Sequence, residues 1–135
     1  MQQQLSKFAK SYRATAIATA TPGQLVLMLF DGALRSMAIA INAFEDQDSV
    51  QRNEVVHNKL TNAQEILLEL RTSLDLKVPG GFPQRMWALY DFMMAQLRDA
   101  NHRKDPAPIR VVERLLGTIR DAWSTMLQSS ASKAA

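Results

Sequence analysis

Apolar positions recur at alternating steps of three and four along most of the chain, and this rhythm predicts four helices. In the first, over residues 21–45, Leu27, Phe30, Leu34, Met37, Ile41 and Phe44 form an inner row. A second row runs beside it, made of Val26, Leu29, Ala33, Ala40 and Ala43. Gln24, Asp31, Arg35, Asn42 and Glu45 are confined to one narrow polar seam, with Asp31 and Arg35 at the i, i+4 spacing that supports a helix. Thr21, Pro22 and Gln24 have the order of a capping box with proline at the first helical position. A helix that is apolar on two sides needs cover from the rest of the chain.

That cover is predicted further on. After a polar turn over residues 46–49, where Asp48 or Ser49 supplies a cap, residues 50–74 carry Val56, Leu60, Ala63, Leu67, Leu70 and Leu74 on one face. Glu54, Asn58, Thr61, Glu65 and Arg71 lie on the other. Pro79, Gly80, Gly81 and Pro83 make residues 75–83 a loop. A third helix follows over residues 84–103, with Met86, Tyr90, Met93, Leu97 and Ala100 inside. Asp105 before Pro106 opens a fourth, whose inner row is Ile109, Val112, Leu116, Ile119, Trp123 and Met126. Residues 128–135 hold nothing to bury and are expected to be a disordered tail. Residues 1–20 are expected to form a mobile arm: Leu5, Phe8 and Tyr12 share one face of a short helix, whereas the Ala and Thr alternation of residues 14–21 favours extended chain. The chain therefore reads as all-α, an antiparallel up-and-down four-helix bundle over residues 21–127 with an N-terminal arm or short extra helix.

Composition narrows the chemistry. With 135 residues there is room for one domain, and 47% hydrophobic against 21% charged residues is ordinary for a folded chain. The absence of cysteine excludes disulfides and thiolate metal sites, and a cytoplasmic location is the expectation. The net charge of +3 arises from 16 basic and 13 acidic residues spread along the chain, too diluted for a nucleic-acid surface. Arg103, Lys104, Arg110 and Arg114 make one modest basic cluster without interleaved aromatics, read as solubilising. No apolar run is expected to span a bilayer, because Asp31 and Arg35 interrupt the longest. Nucleophile elbows, phosphate loops and metalloprotease signatures are absent, so no enzyme and no cofactor is expected. The rival from another class is a di-metal bundle using Glu54 with His57 and Asp99 with His102, since carboxylate-x-x-His pairs are di-iron ligands. It lacks inward carboxylates from the first helix at that level, which offers Met37, Ala38, Ile39 and Ile41.

Surplus apolar surface is the unusual feature. Once each inner row is assigned to the core, Leu68, Trp87, Met94, Val111 and Leu115 remain outside it. They serve either a thicker bundle or a partner groove, and seven methionines favour a groove that accepts irregular partners. A self-associating structural module is a third reading of the same surface, so the free chain is read as monomer or homodimer.

Two stretches carry a family resemblance. The first is Tyr12-Arg-Ala-Thr-Ala-Ile17-Ala-Thr19-Ala20-Thr21-Pro22-Gly23-Gln24-Leu25, continuing through Met28-Leu29-Phe30-Asp31-Gly32-Ala33. The second runs from Gly80-Gly81 through Leu89-Tyr90-Asp91-Phe92-Met93, Leu97 and Ala100-Asn101 to Trp123. Together they resemble the flagellar secretion chaperones that bind flagellin. Arg85, Pro83 and Phe30 depart from that pattern. The resemblance implies a helical bundle that holds the disordered C-terminal segment of flagellin in the cytoplasm, prevents early polymerisation and presents it to components of the export apparatus. It also implies a lid carrying Tyr12 and Ile17 that covers part of the client groove. The client-facing residues expected from both lines of reasoning are Tyr12, Ile17, Leu68, Trp87, Met94, Val111 and Leu115.

Overall fold

A computed structural model describes residues 19–134, with side chains to residue 131. Four helices are present among these residues: α1 (Pro22–Ala43), α2 (Ser49–Thr72), α3 (Phe82–Arg103) and α4 (Ala107–Ala134). Tyr12, Ile17 and the rest of the expected arm up to residue 18 lie outside the described residues.

The predicted caps close the helix starts. Thr21 Oγ1 accepts from the Gln24 amide (3.2 Å) and Gln24 Oε1 accepts from the Thr21 amide (2.9 Å). Asp48 Oδ1 accepts from the amides of Val50 and Gln51, and Asp105 Oδ1 from that of Ala107. Gly80 and Gly81 both adopt positive φ (105° and 80°), which glycine tolerates, and this turn starts α3 two residues earlier than its apolar rhythm implies.

Each helix packs on its sequence neighbours, and α1 on α4, so the four form a closed ring. Direction follows from cross-helix pairs. A Cβ on Gly32 would lie 3.5 Å from Ile66, and Ser36 accepts from Asn62 Nδ2 (2.6 Å); one residue of each pair advances by four while the other retreats by four, which makes α1 and α2 antiparallel. Asp31 meets Arg120 and Gly23 meets Trp123, so α1 and α4 are antiparallel as well.

The inner rows of α2 and α3 are buried as predicted, except that Leu74 lies beyond the end of α2 and is only half-buried: Val56, Leu60, Ala63, Leu67 and Leu70 come from one, Met86, Tyr90, Met93, Leu97 and Ala100 from the other. The core-facing stripe of α1 is rotated from the expected one. Phe30, Ala33, Ser36, Met37 and Ala40 are its buried residues, whereas Leu34, Ile41 and Phe44 are only half-buried. Small residues on that stripe present little bulk between α1 and its neighbours, while larger ones flank the contact. Asp31 pairs with Arg120 of α4 (2.7 Å), not with Arg35.

Two further expectations are corrected. The stretch after Leu127 is helix to Ala134, because Gln, Ser, Ala and Lys without Pro or Gly allow the preceding turns to propagate. By length and apolar content α1 is sufficient to cross a bilayer, with a mean hydropathy of 1.5 over its most apolar window. Here Phe30, Ala33, Met37 and Ala40 are sealed against the other helices, as in the core helix of a bundle.

Candidate functional site

The helices leave an apolar groove of about 570 Å³ at the end of the bundle where the α2–α3 loop meets the start of α1 and the later turns of α4. Val26 and Phe30 come from α1, Leu70 from α2, and Met86 and Tyr90 from α3. Ile119, Trp123 and Met126 of α4 form the opposite wall. Phe82, Val78 and Met126 are 55%, 48% and 45% exposed at the rim, and among the described residues Asp75 is the one charged residue in the lining. Asp75 accepts from the Lys77 amide (3.0 Å), and Arg85 reaches back to the Gly80 carbonyl (3.4 Å), so the loop that carries Val78 is tied to itself and to α3.

Trp123 fixes the junction of α1 and α4. Its indole Nε1 donates to the Gly23 carbonyl (2.9 Å), and its ring meets Phe30 edge to face, with centroids 6.2 Å apart at 82°. The close approach falls at Gly23, where a Cβ would stand 2.7 Å from a Leu127 methyl. Gly32, the other candidate for close approach, has ordinary room for a methyl against Ile66. Below the groove, the hydrogen bond and charge of Asp31 raise the Arg120 guanidinium above its ordinary value.

Burial pushes the Tyr90 phenol up from 10.0 to about 12. The folded chain thus holds this proton more tightly than the unfolded chain does. Stability is complete below the unfolded value and is lost as pH rises through the folded one. The expected loss between pH 10 and 12 is about 2–3 kcal/mol. Urea titrations across that window should show it, and Tyr90→Phe should remove most of it; an identical alkaline slope in that variant would contradict the assignment.

The residues singled out from sequence do not converge on this groove. Leu68 (44% exposed) and Met94 line a separate groove between α2 and α3, of about 730 Å³. Met94 is 6% exposed, a correction to its placement outside the core: α3 buries a stripe wide enough to include it between the Met93 and Leu97 positions and α2. Trp87 is half-buried beneath the Arg71 guanidinium, 4.6 Å from the ring centroid, and Arg71 pairs with Asp91 across the two helices. Arg71 Nε is buried without a hydrogen-bond partner among the described residues. Val111 is exposed at 36% and Leu115 packs partly against the core; neither lines either groove.

Sequence reasoning missed Val78 and Phe82, which it assigned to a loop, and treated Met126 as core. For Val78 and Phe82 the signal was compositional, since large apolar residues on either side of Pro79-Gly80-Gly81 belong to no predicted inner row; Met126 gave none.

The histidine pairing is also resolved. His57 Nδ1 meets Asn101 Nδ2 (2.9 Å) rather than His102, and Asp99 is engaged by Arg103 (2.6 and 3.0 Å). Among the described residues no cluster of three or more His, Cys, Asp or Glu is placed to hold a metal ion. Burial lowers the Lys104 ammonium below its ordinary value, and its Nζ donates to Asn101.

Among the described residues the fold is a four-helix bundle with an open apolar groove at one end, a shape that fits an apolar segment. The particular family follows from comparison with known proteins. The family model described as Flagellar protein FliS matches residues 4–130, and the chain belongs to that family. It is similar to the flagellar secretion chaperone FliS of Bacillus subtilis (strain 168), 35% identical over 119 residues covering 88% of this chain and 85% of the relative. It is also similar to the flagellar secretion chaperone FliS of Escherichia coli (strain K12), 36% identical over 115 residues covering 85% and 82%. The FliS chaperone of Salmonella typhimurium is 34% identical over 120 residues, covering 88% and 86%.

Proposed function

We propose that this chain is a cytoplasmic chaperone without catalytic activity that binds the disordered C-terminal segment of flagellin, keeps it from polymerising early and presents it to the flagellar export apparatus. The observation that carries this reading is the end groove, whose lining is almost wholly apolar and whose rim leaves Val78, Phe82 and Met126 in water. An amphipathic segment that folds on contact would cover them with its own apolar face. Part of the interaction energy then orders the client, which keeps the complex releasable at the export apparatus.

Titrating the full chain with a peptide of the flagellin C-terminal segment should release heat, raise the melting temperature and increase total helicity beyond the sum of the parts. Absence of all three signals would reject the flagellin reading. The same titration tests the proposed lid. A chain lacking residues 1–17 should keep its helicity but bind the peptide with altered affinity, because Tyr12 and Ile17 no longer compete for the groove. Unchanged affinity would remove the lid from the mechanism.

A further inference from the structure

We propose that the Tyr90 hydroxyl is the specificity-determining polar contact of the end groove, donating a hydrogen bond to one neutral polar side chain, Asn, Gln, Ser or Thr, set within the apolar face of the bound segment. The inference deepens the client reading and rests on it. Ser73, Asp75, Tyr90 and Trp123 are the lining residues whose side chains carry nitrogen or oxygen, and three of them have partners within the chain. Trp123 donates to the Gly23 carbonyl, Ser73 donates to the Leu70 carbonyl (2.7 Å), and Asp75 accepts from the Lys77 amide. The Tyr90 side chain has no hydrogen bond among the described residues, and burial alone raises its phenol, with neither a charge nor a hydrogen bond contributing. Its oxygen is nevertheless open. Tyr90 is 3% exposed, yet Arg71 Nε is the one buried side-chain polar atom without a partner among the described residues, so the Tyr90 oxygen still meets solvent, and it is the end groove that Tyr90 lines.

Phenylalanine would suit this apolar lining at nearly the same volume, so the hydroxyl needs a reason of its own. Solvent serves it in the free chain; a client that dries the groove takes that solvent away. An entirely apolar client leaves the hydroxyl unpaired and is disfavoured, whereas one with an acceptor at this depth replaces the lost water. The chemistry of the acceptor follows. A segment that folds as a helix uses its own interior carbonyls, so the acceptor comes from a side chain. A carboxylate would carry an unpaired charge into the apolar lining, which leaves the neutral amides and hydroxyls. Shape and apolar area then admit many amphipathic segments, and Tyr90 selects among them the one whose polar residue falls opposite its oxygen.

Calorimetric titration of the full chain and of Y90F tests this, with the flagellin C-terminal peptide and with peptides in which each Asn, Gln, Ser and Thr is replaced in turn by alanine. Y90F should bind the unaltered peptide about tenfold more weakly. One of the alanine-substituted peptides should show a similar loss against the wild type and lose nothing further against Y90F, because both partners are then gone. At every other position the two losses should multiply. Y90F keeps the ring, so its helicity and its melting temperature at neutral pH should match or exceed those of the wild type. Equal affinity of Y90F and wild type for the unaltered peptide overturns the proposal and leaves the client reading standing. Losses that multiply at every position also overturn it, as does a Y90F that melts lower at neutral pH, which would give the hydroxyl a partner inside the chain. A wild type that binds no peptide removes the client reading itself, and the proposal falls with it.

Discussion

Replacing Phe30 with alanine is expected to lower the unfolding free energy by about 3–5 kcal/mol, the usual range for deleting a buried phenylalanine. Phe30 is 1% exposed and lies at the boundary between the core and the end groove. The deletion removes its transfer energy and its edge-to-face contact with Trp123, itself worth about 0.5–1.5 kcal/mol. Repacking has little to draw on: Ala33, Met37 and Ala40 are already fully buried, and Trp123 is tethered through its indole N–H to Gly23. Phe30→Leu keeps most of the volume and should cost far less. Urea unfolding read by circular dichroism gives the comparison, with an unchanged slope confirming that only the folded state was affected. A loss under about 1.5 kcal/mol for Phe30→Ala would mean that the groove collapses onto the vacated space and is not held open by its walls.

The same residue shows how far local pattern carries. Phe30 belongs to both the expected and the observed inner stripe of α1, because a three-and-four rhythm defines a face without fixing its centre. Ser36 joined the core although no apolar scale places it there, and only the hydroxyl's contact with Asn62 explains it. The stripes of α2 and α3 were legible because their polar residues alternate cleanly with apolar ones, and one face of each is left for the core. The caps at Thr21 and Asp48 were legible because they depend on neighbours within four residues. The end groove depends on α1, α2, α3, α4 and a loop meeting at one place, and no spacing along the chain encodes that meeting. Met94 and Trp87 were read as surplus for a related reason: α3 is covered by α2 over a wider arc than one inner row implies, and Arg71 supplies part of the cover for Trp87. Leu68 kept its exposure, so the surplus is real but smaller and divided between two grooves.

The double variant Phe82→Asp with Met126→Glu should weaken binding of the flagellin C-terminal peptide about ten- to a hundredfold while the bundle stays folded, with a loss of stability that melting curves measure separately. Both side chains are about half in water in the free chain, so each contributes about half of a full core contact to folding and the variant is expected to melt lower without unfolding. Phe82 is the first residue of α3, where a carboxylate is favoured by the unpaired amides of the first turn. Glutamate at position 126 is a good helix former within α4. Their worth lies in what a client would cover. Burying the remaining exposed half of two large apolar side chains contributes about 0.75–1.5 kcal/mol each, and a total of about 1.5–3 kcal/mol corresponds to about one to two orders of magnitude in affinity. Carboxylates at both rims also add an unpaired charge to a surface the client must dry, which pushes in the same direction. Calorimetric titration of wild type and variant, with melting curves as the control, measures both terms. Equal affinities in a folded variant would show that the client does not enter the end groove, and would move the search for its seat to the α2–α3 face around Leu68.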